Sequence, residues 1–498
     1  MEREGMKGVV FPLSADGRRS TSALGRAVVA DALRPVDAAG ALGAEQETNW
    51  RSGYLVHFRR LVEAGLASKA AALSIARHGA GSLHARMRVN GPDGQETGLD
   101  ALLSAPAQAS FATLSVPGAA PPETGLTLPY RGERLAGDSL ARRLDTWVNT
   151  GIIEPSCADA VREVAAHPEW LPLPGRTVIA LGAAAEVGPV EVLLRWGARV
   201  AALDLPSPPA WERVLGMARC GAGTLLVPVT TAAPASVRAD GGAEAITRWA
   251  GLDLDRQVPA AADWLAGLDG PLVLGNYVYA DGAANVAVCA AADALTARLQ
   301  AARDDLALAF LATPTDVYAV PAEAVAHSAR AYASRPRTVR LAGRPLRTLS
   351  GGRLLRRAYV PGADPGVCDS LVSQQGPNYA LAKRLQRWRA TLAREAGATV
   401  SLNIAPPTRT RSVVKNRVLA AAYAGAHRFG AEVFEPATTR TLMAALLVHD
   451  LQTAAQARAH PWQDEADGAA HGGLWRIAYA PRSALVLAAI LGYGAARP

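Results

Sequence analysis

The sequence of 498 residues has little lysine, cysteine, aromatic content or charge. Only four of its 52 basic side chains are lysines, 5% of the residues are aromatic and 19% are charged. The four cysteines are widely spaced without a Cys-x-x-Cys pair, which predicts buried free thiols rather than a disulfide framework or a zinc site. The nine histidines form no HExxH pattern, so no metal site is expected.

Long apolar runs are lacking as well. The most apolar late stretch, residues 484–492, is about half the length of a bilayer span. Residues 1–10 carry charge where an export signal needs an apolar core. Half of the residues are nonetheless hydrophobic, which excludes a disordered chain and provides for two or three domains at roughly 150 residues each. We therefore expect a soluble, cytoplasmic protein that does not contact membrane.

The composition changes at a Pro/Gly-rich stretch, residues 171–175. Residues 1–170 are expected to form an accessory domain in which we find no chemistry. Helical spacing and capping residues predict three helices in it, over residues 50–77, 138–150 and 155–167. Residues 171–455 are expected to form the catalytic domain, and residues 456–498 an extension that packs on its core.

Six short apolar runs alternate with alanine-rich helical segments in the second block. They cover residues 177–181, 199–203, 224–229, 271–274, 306–311 and 398–404. Such alternation is typical of a parallel sheet covered by helices on both faces. We therefore predict an α/β fold with a doubly wound, parallel Rossmann-type sheet, preceded by a smaller, mostly helical α+β domain.

The first of these runs ends in a glycine-containing turn. Gly182 and Gly188 flank the turn, Ala185 stands between them, and Asp204 follows the next strand 22 residues after Gly182. A turn of this kind suits a pyrophosphate, and a carboxylate at that strand end can accept both ribose hydroxyls. The same carboxylate would repel a 2′-phosphate, so the pattern favours NAD over NADP.

A tyrosine and a lysine four residues apart form the second motif. Tyr379 and Lys383 fall on one face of a predicted helix, where an ammonium charge would lower the pKa of the phenol. A phenol activated in this way can act as a general acid or base on a carbonyl or an alcohol.

From about residue 175 to residue 450 the chain resembles the short-chain dehydrogenase/reductase family. The resemblance rests on the glycine turn, read as Gly182, Ala185 and Gly188, and on the YxxxK pair. It implies a Rossmann fold, a nicotinamide cofactor and proton exchange by Tyr379. Lys383 would hold the nicotinamide ribose and lower the pKa of that tyrosine.

The resemblance also implies further site residues. Thr408 or Thr410 would contact the nicotinamide amide, and Asn276 corresponds to the family's asparagine turn. The catalytic serine has no counterpart at the usual distance, because Ser373 lies only six residues before Tyr379. If residues 306–311 form the fifth strand, Thr313 takes the position of that serine. The family also implies a homo-oligomer formed through the helices that flank Tyr379.

An arginine-rich insertion, about residues 314–375, would separate Thr313 from Tyr379. No acidic residue interrupts its nine arginines between residues 330 and 357. The run predicts either a solvated loop or a surface for an anionic group, such as an acidic carrier protein. Few aromatic residues are interleaved for base stacking, so nucleic acid is not expected.

Three functions remain open. The leading one is an NAD(P)-dependent oxidoreductase that acts on a carbonyl/alcohol pair, either in a small molecule or in an acyl chain on a carrier. A non-catalytic Rossmann scaffold or assembly protein is the second, supported by Ala185 and by the displaced serine. A methyltransferase that uses S-adenosylmethionine is the third, since that cofactor has the same ribose hydroxyls.

Overall fold

A computed structural model describes residues 8–14, 17–91, 94–240, 242–453 and 457–494. The strands are β1 (Gly8–Val10), β2 (Arg88–Asn90), β3 (Glu96–Gly98), β4 (Phe111–Pro117), β5 (Leu128–Tyr130), β6 (Glu133–Leu135), β7 (Thr177–Leu181), β8 (Arg199–Leu203), β9 (Thr224–Thr230), β10 (Leu272–Asn276), β11 (Leu306–Ala312), β12 (Val317–Val320), β13 (Gly366–Asp369) and β14 (Val400–Ile404). The helices that precede β7 are α1 (Thr21–Leu33), α2 (Ala38–Glu45), α3 (Trp50–Gly65), α4 (Lys69–Arg86), α5 (Ala101–Ser104), α6 (Gly137–Asn149) and α7 (Pro155–Ala166).

The remaining helices follow β7 and alternate with the later strands. They are α8 (Val190–Arg195), α9 (Pro208–Arg219), α10 (Ala235–Asp240), α11 (Ala243–Trp249), α12 (Leu254–Ala266), α13 (Ala283–Ala302), α14 (Ala322–Ala333), α15 (Arg337–Leu349), α16 (Gly376–Glu395), α17 (Arg411–Lys415), α18 (Arg417–Gly425), α19 (Pro436–Thr453), α20 (Pro461–Ala466) and α21 (Pro481–Gly492). Helices account for 52% of the described residues.

A seven-stranded sheet occupies the centre of the fold. Its strand order is β14-β11-β10-β7-β8-β9-β4, in which six strands are parallel and β4 is antiparallel to β9. All six predicted apolar runs are strands of this sheet, which confirms the predicted α/β class.

Helices cover both faces of the sheet. Successive side chains of each strand point to opposite faces, so each face contributes apolar side chains to its own core. Ile179 and Leu181 of β7 belong to one apolar core, which contains residues of α1, α3, α4, α12, α13 and α16. Val178 and Ala180 belong to a second core with residues of α6, α7, α8, α9 and α19. Among the described residues, no helix combines the length and the apolar character needed to cross a bilayer.

The first 170 residues differ from expectation in two places. The helix predicted over residues 50–77 is two helices, because Ser68 accepts a hydrogen bond from Ala71 N at 3.0 Å and begins α4. Strand β4 joins the central sheet beside β9, so the sheet crosses the boundary expected near residue 170. A pairing between strands about a hundred residues apart leaves no local pattern in the sequence.

Helices α3 and α4 pack directly on α16, the helix that carries Tyr379 and Lys383. At the contact, an added Cβ on Gly79 of α4 would lie 2.4 Å from the ring of Trp388 on α16. The α16 helix also packs on α13. The resemblance implies that α16 contacts a second copy of the chain. In this structure α3, α4 and α13 of the same chain pack on α16.

The segment between β11 and α16 forms a small substructure of its own. Strands β12 and β13 pair in antiparallel fashion, and α14 and α15 lie between them along the chain. Asp316 attaches this substructure to α16, because it accepts hydrogen bonds from Arg384 and Arg387 of that helix, each at 2.7 Å. Helix α15 buries only Gly343, so its arginines are almost wholly outside the core.

Candidate functional site

A cavity of about 1410 Å³ lies at the carboxyl ends of the parallel strands. The residues that directly follow five strands line it, namely Gly182, Asp204, Tyr277, Thr313 and Ala405. This edge is where ligands bind in open α/β sheets, because the loops that leave neighbouring strands diverge there and form a crevice.

The glycine turn forms one end of the cavity. Gly182 has a φ of +77°, and an added Cβ would lie 3.0 Å from Tyr277 O, so both conformation and space require glycine here. Ala185 also lines the cavity, whereas Gly188 does not. Helix α8 begins only at Val190 and has six residues, so the turn itself, rather than a long helix, provides this wall.

Asp204 lies beside this turn and faces the cavity. Its carboxylate accepts hydrogen bonds from Ala184 N at 2.7 Å and from Leu205 N at 2.9 Å. Burial raises the pKa of Asp204, and these backbone hydrogen bonds oppose that rise. Arg213 contributes a nearby positive charge and donates to Ala184 O, so the turn, the aspartate and this arginine form one hydrogen-bonded unit.

The ends of β8 and β9 are partly covered by residues 250–252. Gly251 N donates to Pro228 O and Leu252 N donates to Asp204 O, each at 3.0 Å. Trp211 Nε1 closes the same corner by donating to Leu205 O at 3.0 Å. The open part of the crevice therefore runs from Asp204 towards β10, β11 and β14.

Tyr379 lines the cavity from the first turn of α16 and is half-buried. Burial raises its pKa, and a hydrogen bond with the Thr313 side chain acts in the opposite direction. The phenol is therefore protonated at neutral pH, contrary to the lowered pKa that the sequence predicts. The ring of Tyr279 meets the ring of Tyr379 edge to face, with 6.3 Å between centroids.

Lys383 lines the same cavity one turn further along α16. Its ammonium group donates to Leu311 O at 3.1 Å and to Gln386 Oε1 at 3.0 Å. Gln386 in turn donates to Asn276 Oδ1 at 3.1 Å, so Asn276 reaches the lysine through Gln386 although it does not line the cavity. Burial lowers the pKa of Lys383, and these acceptors direct its charge away from the Tyr379 phenol.

The other predicted site residues also lie around this cavity. Ser373 is exposed and donates to the neighbouring Gln374 Oε1 at 3.3 Å, whereas Thr313 interacts with Tyr379 itself. Thr408 is buried, donates to Pro406 O at 2.8 Å and lies 2.7 Å from Thr439 Oγ1. Thr410 is half-buried beside Ser412. Of the two hydroxyl positions proposed for the missing serine, only Thr313 adjoins the tyrosine.

Sequence reasoning missed several residues of the site. Gln386 was detectable, since it lies three residues after Lys383 on the same helix. Tyr279, Tyr423 and Arg213 had no such signal, because their elements meet Tyr379 or Asp204 only in the folded chain. No group of three or more metal-ligating side chains occurs among the described residues.

Comparison of the sequence with protein-family models and with curated proteins gives no match.

Proposed function

We propose that this chain is a nicotinamide-dependent oxidoreductase of the short-chain dehydrogenase/reductase type. The observation that carries the proposal is the meeting of Tyr379, Thr313 and Lys383 with the Gly182 turn and Asp204 around one cavity. The sequence predicts the tyrosine–lysine pair and the dinucleotide turn independently of each other. Both line one cavity at the carboxyl ends of the strands, as a shared site requires.

The order of the parallel strands supports a Rossmann-type sheet. Numbered along the chain from β7, the order β9-β8-β7-β10-β11-β14 reads 3-2-1-4-5-6, the order typical of dinucleotide-binding folds. Between β7 and β10 the order reverses direction, and Gly182 and Tyr277 lie at this switch point.

The residues at this switch point fit a dinucleotide. Asp204 would accept the hydroxyls of one ribose, since each of its carboxylate oxygens uses only one lone pair on a backbone N–H group. Lys383 would hold the nicotinamide ribose, and Thr408 or Thr410 the amide. When bound, the cofactor supplies or accepts the hydride. The Asp204 carboxylate favours NAD, with NADP as the weaker ligand.

Tyr379 fits the role of the group that exchanges a proton with the substrate oxygen. Its phenol is protonated at neutral pH, and in the reductive direction it would donate that proton to an oxygen that gains negative charge. Thr313, whose side chain lowers the pKa of Tyr379, would stabilise the resulting phenolate. We therefore assign Tyr379 as the proton donor and Thr313 as the residue that orients it.

Substitution of the proton donor tests this assignment. Tyr379→Phe is expected to abolish turnover and to leave cofactor affinity nearly unchanged, because the hydroxyl serves only the proton transfer. Tyr279→Phe is the matched control, since its ring contacts Tyr379 and its hydroxyl bonds to Asp281 at 2.9 Å. Steady-state kinetics and calorimetric titration with the cofactor check both. Unchanged kcat in Tyr379→Phe would overturn the role.

Substitution of the ribose acceptor tests the cofactor site. Asp204→Ala is expected to weaken NADH binding by about 1–3 kcal/mol, the scale of a lost charge-assisted hydrogen bond. Asp281→Ala, at another part of the cavity wall, controls for a general loss of negative charge. Thermal-shift titrations with NADH, NADPH and S-adenosylmethionine separate the alternatives. A shift with S-adenosylmethionine alone favours a methyltransferase, and no shift with any of the three favours a scaffold.

An acidic carrier protein is the partner we propose for the arginine-rich segment. Nine arginines of this segment take part in no ion pair in the described structure, namely Arg330, Arg335, Arg337, Arg340, Arg344, Arg347, Arg353, Arg356 and Arg357. An added Cβ on Gly343 of α15 would lie 3.3 Å from Leu355, which packs with Tyr479 and Ala484, and Ala484 lines the cavity. A carrier held on this surface would lie close to the cavity wall.

A further inference from the structure

The cavity has two chemically different walls. The strand ends and the start of α16 provide the charged and hydroxyl-bearing side chains, among them Asp204, Thr313 and Lys383. A second wall comes from α18, the turn after it and α21, and it begins next to Lys415 and Asn416, which also line the cavity. Every lining residue between 419 and 433 and between 474 and 488 is uncharged, and all except Tyr423 are apolar.

The apolar wall is a closely packed helix pair. An added Cβ on Gly425 of α18 would lie 2.0 Å from Ala488 O, and one on Gly492 of α21 would lie 2.1 Å from Ala421 O. Only small residues allow the two backbones to approach so closely. Of the larger side chains on these two helices, Leu419 and Leu485 line the cavity.

This wall continues to the reacting end of the cavity. Tyr423 of α18 lies near enough to Tyr379 for the two phenols to interact electrostatically, and both line the cavity. A molecule with one oxygen at Tyr379 would therefore extend along α18 and α21. The volume of about 1410 Å³ also exceeds the roughly 300–1,000 Å³ typical of a single-ligand pocket. The cavity thus has room for a second molecule beside a dinucleotide.

We propose that α18 and α21 bind the apolar part of the substrate, so that the substrate is a ketone or secondary alcohol with an extended hydrocarbon chain. The identification of the reacting group rests on the proposed function, whereas the hydrocarbon follows from the wall itself. An uncharged wall gives no compensation for a charged or heavily hydroxylated molecule, whose burial would cost its hydration.

A series of methyl ketones from 2-butanone to 2-decanone tests the proposal. Calorimetric titration of the full-length protein without cofactor gives the Kd of each ketone. We expect Kd to fall by up to about fourfold for each added methylene, because burial of a methylene contributes about 0.8 kcal/mol. A Kd that does not change with chain length would overturn the proposal.

Two pairs of adjacent residues provide matched variants. Leu485 and Leu419 line the cavity, whereas their neighbours Val486 and Val418 do not line it and are 56% and 53% exposed. Leu485→Asn and Leu419→Asn are expected to weaken 2-decanone binding about tenfold and to leave 2-butanone binding unchanged. Val486→Asn and Val418→Asn should bind both ketones as the wild type does. Equal losses within a pair would overturn the assignment of the wall.

Failure of this inference and failure of the proposed function give different results. If the ketones bind with an affinity that depends on chain length but none is turned over with NADH or NADPH, the oxidoreductase is refuted and the apolar wall stands. Turnover with equal kcat/KM for 2-butanone and 2-decanone would support the oxidoreductase and refute the apolar substrate.

Discussion

Arginines of α16 and arginines of the segment between residues 330 and 357 have opposite surroundings. On α16, Arg384 and Arg387 are buried and share Asp316, and Arg387 also pairs with Glu465 at 2.6 Å. The nine arginines of the other segment form no ion pair in the described structure, and α15 is exposed along most of its length. Arginine thus fixes the core in one region. In the other region most of the arginines are exposed, and the half-buried Arg335 and Arg347 bond to Tyr332 rather than to an acid.

The two sets differ because a buried charge needs a partner to offset its lost hydration, whereas an exposed charge stays hydrated. Removal of one partner of a buried pair leaves the other uncompensated, which costs several kcal/mol. An exposed arginine keeps its hydration and contributes little to stability. We infer that the paired set positions Tyr379 and Lys383 through α16, and that the unpaired set is available for an anionic partner.

The largest expected effect comes from the shared carboxylate. Asp316→Ala leaves Arg384 and Arg387 buried without that partner, and we expect a loss of about 3–5 kcal/mol in the free energy of unfolding. Asp305→Ala is the control, since Asp305 pairs with Arg303 at the surface and should lose about 1 kcal/mol or less. Urea titration followed by circular dichroism measures both, and equal losses would remove the contrast between buried and exposed pairs.

Acid tests a second buried cluster, in which Glu154 accepts hydrogen bonds from Arg476 and His471. Burial alone would raise the pKa of Glu154, but these partners lower it to about 2 from about 4.5. Because the folded-state pKa is depressed, this stabilisation is complete above pH 4.5 and is lost as the pH falls towards 2. At about 1.4 kcal/mol per pKa unit, the loss is roughly 3 kcal/mol.

The measurement is urea unfolding at pH 6, 4 and 3. Glu154→Gln should lower the free energy of unfolding at pH 6 and should lose less than the wild type between pH 6 and pH 3. The same decline with pH in both proteins would show that other carboxylates cause the acid sensitivity.

The smallest effect on stability is expected at the exposed arginines. The triple variant Arg337→Gln, Arg340→Gln and Arg344→Gln should change the free energy of unfolding by about 0.5 kcal/mol or less. Its affinity for an acidic carrier protein should nevertheless fall, and that affinity should depend less steeply on salt. The matched control replaces Arg77, Arg142 and Arg199 with Gln. These three arginines are exposed elsewhere on the surface and form no ion pair in the described structure. Equal carrier binding by the two triple variants would exclude a docking role.

The central strands could be read from the sequence because each is a short apolar run, and a strand buried on both faces needs such a run. The bounds of β7 and β8 are those predicted. The position of Thr313 beside Tyr379 followed from the correct assignment of β11. The partner of β4 and the cover of α16 could not be predicted, because both depend on contacts distant along the chain.

The pKa of Tyr379 shows a different limit of sequence reasoning. The spacing of Tyr379 and Lys383 is helical, as predicted, but the ammonium group bonds to Leu311 O and Gln386 instead of acting on the phenol. Helical spacing fixes which side chains share a face and says nothing about competing acceptors from other elements. The Leu311 carbonyl belongs to β11, 72 residues earlier in the chain.

The cover that α3 and α4 provide for α16 has a consequence at low protein concentration. A helix sheltered by a second copy of a chain loses that shelter on dilution, whereas here Trp388 meets Gly79 of its own chain. Because α3 and α4 belong to the same polypeptide as α16, this contact does not depend on the protein concentration. The activity proposed for Tyr379 should accordingly stay constant per molecule from micromolar to nanomolar protein.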